Sequence, residues 1–200
     1  AELIARVGPC KLGAHTLGPF ERHDYFSGLV EAIVSQQLSA KAADTIFRRV
    51  VAAVGPTFDA ASLARIPEPA LREAGLSGAK ARYVRGLADE VLAGRLRLDR
   101  LDAMTDDEVV DELSRLKGIG RWTAEMILMF HLRRLDVLPV DDLGIQKGMM
   151  RLFGLRKLPA KARMEKLARP WRPYRSVACW YLWRLNELPA PAPKRRASRA

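Results

Sequence analysis

Two short stretches hold the residues best suited to chemistry: "LKGIGRWTAEMILMF" (116–130) and "LPVDDLGIQKG" (138–148). The second sets Asp141 beside Asp142, two residues after a proline. A carboxylate held in place can stabilise a developing cation, or orient and deprotonate an attacking water. Neighbours at a helix start do not face the same way, so the two aspartates should have different jobs. Both also have an ordinary reading. Asp is a standard N-cap, and "VDDLGI" opens a helix. The first stretch places Gly118 and Gly120 around Ile119, ahead of an apolar run. Glycine permits positive φ and close approach by another molecule. The N–H groups that begin the following helix lack partners within it, and with the helix dipole they make an anion site. Thr123 brings a further N–H and a hydroxyl to that turn. On spacing alone, a plain helix–turn–helix connection that needs glycine explains these residues equally well.

The elements that must position these residues are helical. Phe26, Leu29, Val30, Ile33 and Val34 recur at i, i+3, i+4, i+7 and i+8, which predicts a helix with one apolar face. A second helix is expected from about Ala40 to Val54, stopped by Gly55-Pro56. Pro67 and Pro69 open a short one. Ser77 reads as the N-cap of a longer helix that ends at Gly94. Thr105 and Glu108 form the capping box of another, in which Val109, Val110, Leu113 and Leu116 point one way. Further helices are expected from about Arg121, Asp142, Pro159 and Tyr174. Strand-like alternation is not sustained anywhere, so the expected class is all-α.

Composition narrows the partners. The 200 residues are 48% hydrophobic, enough for one good core or two small lobes around a groove. Lys and Arg number 34 against 23 Asp and Glu, a formal net charge of +11. Four of these charges, Lys194, Arg195, Arg196 and Arg199, lie in the tail 190–200, which reads as disordered from its Pro, Ala and basic content. The remainder is still basic, and such a field attracts polyanions, nucleic acid first among them. Cys10 and Cys179 are far apart and form no C-x-x-C, so zinc and iron–sulfur sites are not expected. No apolar run of about 18 residues predicts a membrane span, and the first residues show no secretion signal. An intracellular protein, cytoplasmic or nuclear, fits best.

"LSRLKGIGRWTAEMIL" (113–128), followed one helix and a loop later by the aspartate of "VLPVDDLGIQKG" (137–148), resembles the helix-hairpin-helix DNA glycosylase superfamily. "LVEAIVSQQLSAKAA" (29–43) and "LREAGLSGAKARYVRGLADEV" (71–91) are similar to its alkylbase branch, the DNA-3-methyladenine glycosylase II type. The likeness runs from about Tyr25 to Trp183. It implies a two-lobed, all-helical fold over 1–189, with the central lobe around 40–135 and the active site in the cleft between lobes. The chain is too short at its start for the N-terminal β domain of some relatives.

The resemblance also implies roles. It places the catalytic carboxylate at Asp142, close to the sugar C1′ of a damaged nucleotide, and leaves Asp141 as a cap or surface group. Gly118, Gly120, Arg121 and Thr123 would meet DNA phosphates. Trp122, Trp183, Met126, Leu143 and Gln36 would line the pocket for the flipped base, and Gln37 would wedge into the gap it leaves. A tryptophan at helical spacing is also often plain core, and Trp171 and Trp180 are expected there. Carbonyls of Ser114, Leu116 and Ile119 would hold a monovalent cation, sodium or potassium; no other cofactor is implied. Lyase members of the superfamily keep a lysine two residues after the second glycine, where this chain has Trp122. Lys117 and Lys147 lie nearby in sequence. The implied activity is monofunctional removal of alkylated purines from double-stranded DNA by a monomer. A related glycosylase for hypoxanthine, ethenoadenine or uracil, or a DNA-binding hairpin module without catalysis, are the alternatives.

Overall fold

The computed structural model describes residues 2–12 and 24–189, so the expected disorder of the tail lies outside the described residues. Eleven α-helices follow one another among them: α1 Glu2–Val7, α2 Tyr25–Ser35, α3 Ala40–Val54, α4 Ala60–Ala64, α5 Glu68–Glu73, α6 Gly78–Leu92, α7 Asp106–Ser114, α8 Arg121–Phe130, α9 Leu143–Leu152, α10 Lys161–Ala168 and α11 Arg175–Glu187. Two 3-10 segments, Leu98–Ala103 and Arg169–Trp171, complete the list, and no strand occurs among the described residues.

Local chemistry sets most boundaries. Ser39, Asp59 and Ser77 cap α3, α4 and α6 by accepting the N–H of Ala42, Ser62 and Lys80. Thr105 and Glu108 make the expected reciprocal box, with Thr105 N–H donating to Glu108 at 2.7 Å and Glu108 N–H donating to Thr105 Oγ1 at 3.3 Å. Gly94 follows α6 at φ 68°, a left-handed stop. Four elements are not expected from the sequence. α1 and α4 have only six and five residues, and the Leu98–Ala103 and Arg169–Trp171 turns are 3-10, so none is long enough to display a helical apolar period.

Packing divides the helices into two groups. α2 lies against α3, α6 and α8; α4 and α5 pack on α6, and α7 on α8. α9 and α1 pack on α11. The predicted apolar face of α2 is buried throughout, with Leu29, Val30, Ile33 and Val34 fully enclosed. Phe47, Leu63, Leu71, Leu113 and Ile127 join them in the core. Each such side chain contributes about 1.5–3 kcal/mol by leaving water. Trp171 and Trp180 correct the expectation that they are core. Both are half-buried. Trp171 stacks on the exposed Phe153, and Trp180 meets Tyr181 edge-on with the Arg184 guanidinium 5.7 Å from its ring. Their amphipathic rings seal the rim of the second group rather than its centre.

The loop between α8 and α9 carries the aspartates, and α11 anchors it. Ser176, fully buried, donates to Arg134 O at 2.7 Å and accepts the Val137 N–H at 2.9 Å. The Arg175 guanidinium holds both carboxylate oxygens of Asp136, at 2.6 and 3.0 Å. That fork-on-fork pairing makes the approach to Asp142 rigid.

Glu31 marks a stress in the α2–α3 contact. Burial first, and then the charge of Asp44, push its carboxyl up to about 7 from 4.5. The folded state therefore keeps a proton that the unfolded chain releases, and stability falls as pH rises between these values. Glu31→Gln is expected to raise the melting temperature at pH 8 by roughly 2–4 °C, about 1 kcal/mol after allowance for partial solvation, and to change it little at pH 5. Equal shifts at both pH values, read by thermal unfolding, would remove this account.

Candidate active site

The hairpin begins where α7 ends at Ser114 and finishes where α8 begins at Arg121. Gly118 sits at φ 91°, and a Cβ there would lie 2.3 Å from the Tyr83 ring. Both the backbone angle and the aromatic neighbour demand glycine. Ile119 plugs the turn into the core, 3% exposed. Gly120 is the N-cap of α8 and offers no side chain to its amides, while the space beside its Cα is open. The first N–H groups of α8 thus keep their capacity for an anion from outside. Arg121 is exposed at their edge and donates to Glu125 at 3.1 Å. Thr123 departs from its expected role: it is 4% exposed, and its hydroxyl lies 3.4 Å from Gln36 Nε2. At the third position of α8 the side chain turns back toward the protein, so only its N–H can belong to the anion site.

Asp142 is the N-cap of α9 and is 9% exposed. Its Oδ1 accepts the Ile145 N–H at 2.7 Å and the Trp183 indole N–H at 3.0 Å. Its Oδ2 accepts the Trp122 indole N–H at 2.8 Å. Capping and chemistry, competing readings in the sequence, are both available to one carboxylate. Asp141 is exposed and pairs with Lys161 at 2.7 Å, as suits a surface group.

Trp183 stacks on Phe130 at 5.9 Å and 21°. Trp122, Met126 and Phe130 recur every four residues and share one stripe of α8. Trp122 is 42% exposed and Leu143 52%, both open to a ligand beside Asp142, while Met126 is half-buried. Gln36, expected on the pocket wall, instead sends its amide to Gly118 O at 2.7 Å. Gln37 is exposed at φ 58°.

Three contributors were missed in the sequence. Phe130 carried a signal in its i, i+4 relation to Met126. Gly144 carried none: a Cβ there would lie 2.8 Å from the Trp183 ring and 3.0 Å from Asp142 Oδ1. Asn186 holds the carbonyl of Gly144 at 2.8 Å from the far side. Cys179 lies near the carboxylate but is no nucleophile, because burial first, and the Asp142 charge second, push its thiol far above its ordinary range. Lys117 is exposed in a separate groove of about 810 Å³ with Arg82, Tyr83 and Arg95, and Lys147 is exposed on α9. Among the described residues no group of three His, Cys, Asp or Glu side chains can hold a metal ion, and no helix is long and apolar enough to cross a membrane.

Residues 30–173, which include the hairpin and the caged aspartate, match a family model described as HhH-GPD superfamily base excision DNA repair protein. The chain belongs to this superfamily. It is 33% identical over 192 residues to the alkylbase DNA glycosidase-like protein mag2 of Schizosaccharomyces pombe, covering 94% of this chain and 88% of that one. It is 33% identical to DNA-3-methyladenine glycosylase 1 of the same organism, over 84% of this chain and 75% of the relative. The solved structure of the S. pombe 3-methyladenine DNA glycosylase Mag1 in complex with abasic DNA superposes with a TM-score of 0.81 at 30% identity, over 96% and 93% of the two chains. A DNA-3-methyladenine glycosidase from Bacillus halodurans gives 0.74 at 41% identity, over 85% and 78%. An 8-oxoguanine glycosylase/lyase from Clostridium acetobutylicum shares the fold at 21% identity, with a TM-score of 0.69 over 84% of this chain and 62% of that one.

The indole N–H groups make a prediction specific to this arrangement. Trp183→Phe keeps a ring on Phe130 but removes one donor from Asp142. A hydrogen bond to a charged group contributes about 1.5–3 kcal/mol, so single-turnover base release is expected to fall roughly 10–100-fold with little change in DNA affinity. Gly144→Ala should lower the same rate by forcing Trp183 and Asp142 apart. An unchanged rate in both variants would mean that the donors do not position the carboxylate.

Proposed function

We propose that this chain is a monofunctional DNA glycosylase that removes alkylated purines of the 3-methyladenine and 7-methylguanine type from double-stranded DNA, leaving an abasic site. The observation that carries the reading is the Asp142 carboxylate, held by two indole N–H groups and one backbone N–H beside an exposed tryptophan face. Carboxylate oxygens accept hydrogen bonds, and the three partners described for Asp142 are all donors.

Hydrolysis breaks the bond between C1′ and the purine nitrogen, whose electron pair leaves with the base. The sugar gains oxocarbenium character, and a fixed carboxylate stabilises that charge. Asp142 also orients the water that attacks C1′ and accepts its proton. An alkylated purine is cationic and departs as a neutral base, so acid assistance is dispensable. The faces of Trp122 and Trp183 attract such a cation, and Met126 and Leu143 complete the wall. Monofunctionality is supported by Trp122, an indole where superfamily lyases keep their lysine. An indole nitrogen carries no basic lone pair and forms no Schiff base.

The hairpin amides near Gly118 and Gly120, together with Arg121, hold a phosphate without regard to sequence, and Gln37 fills the space of the flipped nucleotide. The carbonyls of Ser114, Leu116 and Ile119 are hard oxygen donors suited to sodium or potassium. Ser114 ends α7, so its carbonyl lacks an intrahelical partner, while that of Leu116 accepts the Ile119 N–H at 3.1 Å and keeps a second lone pair. We place the protein inside the cell, acting on DNA as a monomer.

The test is a panel of duplexes, each with one lesion, scored for base release with and without alkali. Wild-type protein should release 3-methyladenine and 7-methylguanine and nick only after alkali. Asp142→Asn should lower release at least 100-fold while retaining DNA binding. Strand cleavage without alkali would overturn the monofunctional reading. Release of hypoxanthine, ethenoadenine or uracil in place of the alkylated purines would change the lesion class. Near-full activity of Asp142→Asn would end the mechanism.

A further inference from the structure

The turn at Gln36–Gln37 and the hairpin before α8 lie more than eighty residues apart, yet one bond joins them: Gln36 Nε2 donates to Gly118 O at 2.7 Å, across 82 residues. The same turn is held from below. Lys80 Nζ donates to Val34 O at 2.7 Å and to Gln36 O at 2.6 Å. Those carbonyls close the C-terminal end of α2, where helix geometry leaves acceptors unpaired and a positive charge is favoured. One turn further along α6, Tyr83 packs its ring against Gly118. Lys80 and Tyr83 are three residues apart, so a single face of α6 supports both turns.

Between these anchors Gln37 adopts φ 58°, a left-handed conformation that favours glycine. A non-glycine residue persists there when its surroundings over-determine it. Its own side chain is exposed, so the determination comes through its neighbours. Gln36 is tied at its amide and its carbonyl, and Leu38 N–H closes the turn on Ser35 O at 3.2 Å.

We propose that Gln36 and Lys80 are positioning residues that lock the Gln37 turn to the phosphate-binding hairpin, so that seating a phosphate on the hairpin sets the depth at which Gln37 enters the duplex. This rests on the reading of Gln37 as the wedge. Neither residue meets the damaged base. They convert two separate DNA contacts into one rigid body, which couples backbone grip to base flipping.

The experiment uses a duplex with a synthetic abasic site and 2-aminopurine as its neighbour. Wedge insertion disturbs the stack and changes the fluorescence, and no catalysis is needed. Gln36→Ala, Lys80→Met and Gln37→Ala should each reduce the fluorescence change at least threefold, and should slow single-turnover release of 7-methylguanine by about tenfold. Adding Gln36→Ala or Lys80→Met to Gln37→Ala should cost less than twofold more, because the residue being positioned is already gone. Affinity of Lys80→Met for undamaged duplex should stay within twofold. Independent, multiplicative losses in the double variants would overturn the proposal, as would an unchanged fluorescence signal in Gln36→Ala and Lys80→Met. The two substitutions reach the turn from opposite sides, so one variant that fails to fold leaves the other as the test. A wild-type protein that gives the fluorescence change but releases no alkylated base would refute the proposed activity, while the cycle on the abasic duplex would still decide the positioning.

Discussion

Three N–H groups converge on one nearly buried carboxylate, and the rest of the molecule is arranged so that they can. Trp122 comes from α8, Ile145 from α9 and Trp183 from α11, while Asp142 itself ends the loop between the first two. A carboxylate removed from water and left without partners is costly. The three helices must therefore stand in one relative register, or the aspartate would be an uncompensated, nearly buried charge. The close approach at Gly144, the Asn186 bond to its carbonyl and the Phe130–Trp183 stack all serve that register.

α8 shows how much a ten-residue helix can be made to do. Its N-terminal amides face outward because Gly120 gives them no cap. One stripe carries Trp122, which donates to the carboxylate, Met126, and Phe130, which stacks on Trp183. Ala124, Ile127 and Leu128 are sealed in the core and fix the helix in place. Glu125 pays for a fourth contact: burial pushes its carboxyl above the ordinary range, against the opposing pull of Arg121, and its Oε2 has no hydrogen-bond partner among the described residues. The ion pair across one turn holds Arg121 at the edge of the anion site. Glycine at the hairpin, aromatic at the pocket and aliphatic at the core follow from the three environments that meet on one cylinder.

Much of this was legible in the residues, and the unread parts share a cause. The capping box at Thr105, the apolar face of α2 and the limits of α3 and α6 follow from interactions within about four residues, so spacing reveals them. The hairpin and Asp142 were recognisable as a pair because their separation reflects one helix and one loop. α1 was too short to show a period. Trp171 and Trp180 were expected in the core, but a large amphipathic ring can seal a rim as readily, and only neighbours decide which. The place of Thr123 in a helix start points it outward, whereas its hydroxyl lies inward, 3.4 Å from the Gln36 amide.

Local sequence specifies the longer helices, several of their caps and the basic field, and its resemblance to a known superfamily points to the chemistry: glycines where an anion can approach, an aspartate suited to meet a cation, and an indole where lyases keep an amine. Tertiary structure decided which groups act together. Trp183 reaches Asp142 across 41 residues, and Gln36 reaches Gly118 across 82. Hydrogen-bonding partners that distant leave no periodic trace, because what brings them together is the close packing of side chains between helices, and that depends on the shapes of the whole core rather than on any one segment.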